Sequence, residues 1–130
     1  MSNARKHILL VEDNEDQSMI MEARLNKWGY DCTLKKSADD ALAYLQENKP
    51  DLIITDYDTN SKNTGIDVIK KAKTHNIPVI MHSNSSVKNE AISAGAKFFL
   101  EKTCDKEIIQ KKIQEVIAMG GLEEPGGRTR

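Results

Sequence analysis

Residues 7–13 read His-Ile-Leu-Leu-Val-Glu-Asp. Four apolar side chains follow one another from Ile8 to Val11, and the run then stops at two acids. A strand with one wet face alternates apolar and polar residues. A run that is apolar on both sides needs cover on both faces, as a parallel strand between two helix layers has. The same texture returns at Leu52–Thr55 (LIIT) and Pro78–Met81 (PVIM). Shorter runs at Asp31–Leu34 (DCTL) and Lys97–Leu100 (KFFL) complete five candidate strands.

Helical patterns fill the intervals. Asp16 to Lys27 carries Met19, Ile20, Ala23 and Leu25 at roughly helical spacing and stops at Trp28-Gly29. Ser37-Ala-Asp-Asp40 resembles a capping box with Asp in place of Glu. It opens a helix with Ala41, Leu42 and Leu45, ended by Asn48-Lys-Pro50. Ile66 to Thr74 puts Ile66, Ile69 and Ala72 on one face. Val87 to Ala94 is short and polar, and Gly95 ends it. Asp105 to Met119, with Ile108, Ile109, Ile113, Val116 and Ile117, is the strongest amphipathic pattern. Strand then helix, five times over, predicts an α/β fold with a parallel sheet sandwiched between helices. Right-handed crossovers leave few topologies for it.

A chain of 130 residues suits one domain with one core. A hydrophobic content of 38% beside 30% charged residues excludes a disordered chain, and a net charge of -1 excludes bulk attraction to nucleic acid or an anionic membrane. No apolar run approaches the roughly 20 residues that span a bilayer, and no leader pattern opens the sequence, so the cytoplasm is the expected compartment. Cys32 and Cys104 lack CxxC spacing and read as reduced, passive thiols. Residues 6–119 form the expected domain. Residues 1–5 read as a tail or cloning remnant, and the Gly/Pro-rich residues 120–130 as a disordered tail or linker stub.

In an open parallel sheet, ligands bind beyond the carboxyl ends of the strands. Glu12 and Asp13 follow the first strand, Asp56 the third, Ser83 the fourth and Lys102 the fifth. Converging carboxylates repel one another unless a cation joins them, and Mg2+ takes a few carboxylates while keeping several waters. Such an ion also neutralises charge on a transferring phosphoryl group. Asp56 can then act as nucleophile. Lys102 can hold a phosphoryl oxygen as a point charge, and the Ser83 hydroxyl can donate to another.

Taken together, these segments resemble the response-regulator receiver family of two-component signalling. Val11-Glu-Asp-Asn-Glu15 is similar to its acidic pair, and Asp51-Leu-Ile-Ile-Thr-Asp56 to the segment that leads to its phosphoacceptor. Ile77-Pro-Val-Ile-Met-His-Ser83 resembles its fourth strand with the terminal hydroxyl. Ala94-Gly-Ala-Lys-Phe-Phe-Leu-Glu-Lys102 resembles its fifth strand with the lysine. The resemblance covers residues 6 to 119. It implies a flavodoxin-like (βα)5 three-layer sandwich with strand order 2-1-3-4-5, binding Mg2+ (or Mn2+). Asp13 would hold the metal directly, Glu12 through water, and Asp58 by its main-chain carbonyl. Ser83 and Phe99 would form the switch pair acting on the face of the fourth helix, fifth strand and fifth helix. The implied phosphodonor is a histidine kinase or histidine phosphotransfer protein, and the implied output is a downstream protein target. The family leaves open a phosphorylation-dependent homodimer. Such a module catalyses its own phosphorylation and dephosphorylation without turning over a small-molecule substrate.

The sequence departs from the family at three places. Tyr57–Gly65 lacks the usual proline and runs one residue longer, which predicts a looser loop. Lys102 is followed by Thr103 rather than proline, which predicts a trans bond, or a cis bond only if strong context holds it. Asn84 follows Ser83, where the family commonly has a smaller residue, and is expected to narrow access to the phosphoryl group. Two rival readings use the same residues. A phosphorylation-independent pseudo-receiver would bind partners by contact alone. An Asp-nucleophile phosphatase would use Asp58 as its second acid. Among the other residues, His82 is expected to pack or meet solvent, His7 and His75 to lie at the surface, and Trp28 to be partly buried. Phe98 and Phe99 must face opposite ways.

Overall fold

The computed structural model describes residues 5–122. Its elements run β1 (His7–Val11), α1 (Glu15–Lys27), β2 (Asp31–Lys35), α2 (Ala38–Tyr44), β3 (Leu52–Thr55), α3 (Gly65–Thr74), β4 (Val79–Ser83), α4 (Lys88–Ala94), β5 (Phe98–Glu101) and α5 (Lys106–Leu122), with a 3-10 turn over Ser85–Val87. The five strands form one sheet in the order β2-β1-β3-β4-β5, and every pairing is parallel. This is the predicted three-layer sandwich.

Period-2 alternation divides the strand residues between two cores. Leu9, Val11, Ile53, Val79 and Met81 face one side and pack with Ala41 of α2, its C-cap Leu45, Ile66 and Ile69 of α3 and Ala91 of α4. Ile8, Leu10, Leu52, Ile54, Ile80 and Leu100 face the other, against Met21 and Leu25 of α1 and Ile109, Ile113 and Val116 of α5. Phe98 and Phe99 obey the alternation, one on each core, and each is half-buried. Trp28 is half-buried against the α1/α5 core, as expected.

Local chemistry fixes the helix starts. Asn14 Oδ1 accepts from Gln17 N at 2.9 Å and caps α1. Ser37 Oγ accepts from Asp40 N at 3.0 Å and caps α2, one arm of the predicted box. A complete box opens α3, where Thr64 Oγ1 accepts from Ile66 N and Asp67 Oδ2 accepts from Thr64 N.

Two helix faces differ from expectation. α1 buries Ser18, Met21 and Leu25, whereas Met19 and Ile20 are 62% and 52% exposed and Ala23 is exposed. Counting only apolar side chains set the wrong phase. Ser18 can face inward because its hydroxyl donates to the Glu15 carbonyl at 2.9 Å. In α5 the buried set is Ile109, Ile113 and Val116, and Ile108 lies one step off that stripe, 44% exposed. α5 also continues past Met119 through Gly120 and Gly121 to Leu122. At the other end, Arg5 donates to the carbonyls of Asn26, Gly29 and Tyr30. Of the tail predicted over 120–130, residues 120–122 thus belong to α5, and 123–130 lie outside the described residues.

Candidate functional site

Main-chain bonds between neighbouring strand ends assemble the cleft. Glu12 N donates to the Lys35 carbonyl at 3.1 Å, Asp56 N to Val11 at 3.0 Å and Lys102 N to Ser83 at 2.9 Å. The residues that follow β1, β3 and β5 are therefore fixed by main-chain bonds before their side chains make any contact.

Glu12, Asp13 and Asp56 each bring a carboxylate oxygen within 4.8 Å of the other two. Glu12 is buried, while Asp13 and Asp56 are half-buried. Lys102 answers part of this charge. Its Nζ lies 2.6 Å from Glu12 Oε1 and 3.1 Å from Asp56 Oδ2, and it also donates to Gln17 Oε1. Burial pushes the Glu12 carboxyl above its usual range, against the pull of the Lys102 ammonium and of the Asn14 N–H. Asp56 Oδ1 accepts from Tyr57 N at 2.6 Å. Three oxygen donors so close together, two of them open to water, fit a small hard divalent cation that keeps part of its hydration shell.

The backbone beside Asp56 is closely packed. A Cβ on Gly65 would stand 2.3 Å from the Asp56 carbonyl oxygen and 2.6 Å from Met81 Cε. Gly65 N donates to the Tyr57 carbonyl at 2.7 Å and closes the loop between them. That loop, predicted to be loose, is fastened to the start of α2. Thr59 is buried, and its Oγ1 accepts from Ala38 N at 2.8 Å. The Asp39 carboxylate accepts from Asn63 N (2.9 Å), Asn63 Nδ2 (2.8 Å) and Lys62 N (3.2 Å). The hydrogen bond from the Asn63 side chain leads in holding the Asp39 carboxyl below its ordinary value. Hydrogen bonds thus do the bracing that a proline would otherwise supply.

Other predicted residues sit as follows. Ser83 ends β4, buried and paired with Glu101. Asp58 is exposed, outside the carboxylate cluster, and its Oδ1 accepts from Asn60 N at 3.1 Å. A second acid for phosphatase chemistry would need to face the cluster instead. Asn84 is exposed and turns its Oδ1 to Ser86 N and Ser86 Oγ. The described residues contain no cis peptide, so Lys102-Thr103 is trans. His82 packs inward beside Arg24 and Lys102 in a cavity of about 250 Å³ that Leu10, Ile20 and Met21 also line. Its Nε2 is buried and lacks a partner among the described residues, and burial, reinforced by Lys102, pushes its pKa down to about 4. His7, expected at the surface, is half-buried and bonds Thr33 Oγ1 at 2.7 Å. His75 is also half-buried.

Sequence reasoning missed Gln17, Thr59, Asn60 and the packing role of Gly65. Only Gly65 left a trace, as the loop's closing glycine. The others act through contacts with residues 21 to 85 positions away.

Three comparisons bear on this geometry. The family model described as "Response regulator receiver domain" matches residues 8–114. The transcriptional regulatory protein ZraR of Salmonella typhimurium is 35% identical over 123 residues, covering 91% of this chain and 28% of that protein. The chain thus spans under a third of the length of the curated relatives it matches first. Among solved structures, a CheY-like response regulator receiver domain protein from Methanospirillum hungatei superposes with a TM-score of 0.85 at 22% identity, covering 92% of this chain and 99% of that one. The receiver domain of a sensor histidine kinase from Pseudomonas aeruginosa superposes with a TM-score of 0.80 at 24% identity, covering 88% and 99%. That structure has a magnesium ion coordinated in its active-site cleft.

Proposed function

The chain belongs to the response regulator receiver domain family of two-component signalling, and from that premise we propose that it is a phosphorylation switch with Asp56 as acceptor. One observation carries the reading. The Asp56 carboxylate is half-buried, 3.1 Å from the Lys102 ammonium and within 4.8 Å of carboxylate oxygens of Glu12 and Asp13.

A carboxylate oxygen of Asp56 attacks the phosphorus of a phosphohistidine presented by a histidine kinase or phosphotransfer protein. The phosphorus–nitrogen bond breaks, the donor imidazole leaves with the electron pair, and an acyl phosphate remains on Asp56. Glu12, Asp13 and Asp56, with the Asp58 carbonyl, would hold Mg2+ or Mn2+, which screens the phosphoryl charge when bound. Lys102 already bridges Glu12 and Asp56, and exchanges its Asp56 bond for a phosphoryl oxygen. The Ser83 hydroxyl donates to another phosphoryl oxygen. That bond favours the arrangement in which Phe99 turns inward, and it reshapes the α4-β5-α5 face for a downstream protein or a second copy of the chain. Attack of water later returns Asp56 and inorganic phosphate. Within this reading the chain works in the cytoplasm. Among the described residues no helix is long and apolar enough to cross a membrane.

Intact mass after incubation with Mg2+ and a small phosphodonor tests the proposal. One added phosphoryl group, dependent on metal and absent from Asp56→Asn, is expected. An adduct that survives in Asp56→Asn would move the acceptor elsewhere. No adduct in the wild type, where a known receiver labels, would favour a phosphorylation-independent module.

A further inference from the structure

Resting on the metal reading above, we propose that Asn60 is a positioning residue for the cation, holding Asp13 in its ligating arrangement from a loop anchored on α2. The distance in sequence is long and the contact specific: Asn60 Nδ2 donates to Asp13 Oδ2 at 3.1 Å across 47 residues. The backbone is committed to making it. Asn60 stands at φ 56°, in the left-handed region that asparagine tolerates better than most residues. Its own N–H is satisfied by Asp58 Oδ1. On one side Thr59 is buried and fixed to Ala38 N, and on the other Lys62 and Asn63 are fixed to the Asp39 carboxylate. Asn60 is thus the exposed residue between two anchors, aimed at a ligand rather than at solvent.

The chemistry suits the placement. An amide N–H donated to one carboxylate oxygen fixes the plane of the carboxylate and occupies one of its acceptor positions. The remaining lone pairs stay available to a hard cation. A neutral donor does this without adding a charge that would compete for the ion, as a second lysine would. It also lessens the repulsion Asp13 feels from Glu12 and Asp56. Groups that orient a metal ligand in this way set affinity by roughly 10–100-fold in established sites.

The test is calorimetric titration of the unphosphorylated chain with Mn2+ and with Mg2+, for the wild type, Asn60→Gly, Thr59→Val and Asp13→Asn. Glycine keeps the left-handed backbone and removes only the amide, so the fold survives the change. Asn60→Gly is expected to weaken both ions about tenfold with an unchanged urea midpoint. Thr59→Val, which touches no ligand but frees an anchor of the loop, is expected to weaken them by a smaller factor. Wild-type affinity in Asn60→Gly, with binding lost in Asp13→Asn, would overturn the role of Asn60 and leave the metal site standing. A loss of affinity in Asn60→Gly that merely tracks a loss of stability would overturn it too. No binding by the wild type would sink the metal reading and this proposal together.

Discussion

Gly65→Ala places one methyl group where the structure has no room for it. Its Cβ would sit 2.3 Å from the Asp56 carbonyl oxygen, where ordinary contact begins at 3.4 Å, and 2.6 Å from Met81 Cε. Met81 is fully buried, so its thioether can swing only into occupied space. The Asp56 carbonyl is less free still, because Thr55 Oγ1 donates to it at 2.8 Å and Asp56 N is bonded to Val11. The strand end must therefore move, and the Asp56 carboxylate moves with it. Overpacking of this kind costs about 1–3 kcal/mol. The opposing gain from replacing glycine in a helix reaches at most ~1 kcal/mol, and less at a first helical position. Taking that gain as ~0.5 kcal/mol at this position, the net expectation is a loss of roughly 0.5–2.5 kcal/mol. For a mid-range loss of ~1.5 kcal/mol and a urea slope of ~2 kcal/mol/M, the midpoint falls by roughly 0.75 M. Urea unfolding followed by Trp28 fluorescence reads this directly, and the rate of Asp56 labelling should fall in parallel. An equal or higher midpoint would refute the argument, since an uncrowded glycine at a helix start should gain stability from alanine.

Three further outcomes follow from named contacts. His82 is neutral when folded and titrates near 4, against 6.5 when unfolded, so its contribution is intact above pH 6.5 and lost as pH falls toward 4. That loss is on the order of 3 kcal/mol, and His82→Gln should flatten the urea-midpoint profile between pH 7 and 5; an unchanged slope would exclude it. Lys102→Met leaves Glu12 buried beside Asp13 and Asp56, and should cost about 2–3 kcal/mol at pH 7 without metal. Because burial already raises the Glu12 pKa, protonation should shrink that cost at pH 5, and a pH-independent cost would rule out the charge argument. Burial, helped by Glu22, pushes the Cys32 thiol up to about 12, so at pH 8 a disulfide reagent should label Cys104 first and Cys32 mainly after unfolding; the reverse order would contradict the packing.

Much of this was legible in the sequence because parallel sheets write themselves plainly. Ile8–Val11 and Leu52–Ile54 are apolar without interruption since both faces are covered, and the acids that follow the strands mark the sheet's carboxyl edge. Helix phase was less legible. Ser18 faces the core with its hydroxyl satisfied locally, so a scan for apolar side chains rotated α1 toward Met19 and Ile20. The loop after Asp56 was least legible, because Thr59, Asn60 and Asn63 owe their positions to Ala38, Asp13 and Asp39. Polar residues that look like ordinary loop composition gain their role only from partners brought near by the fold.

The parallel sheet also has a consequence for folding thermodynamics. Parallel neighbours cannot be joined by a tight hairpin, so each pairing encloses a crossover segment. The cleft closes long loops as well: Lys102 meets Glu12 across 90 residues. An unfolded chain keeps these groups apart and offers no cage of carboxylates. An ion bound there would bind the native state alone, adding RT ln(1 + [ion]/Kd) to its stability by mass action. The free divalent cation concentration would then set part of the balance between folded and unfolded chains, as well as the chemistry at Asp56.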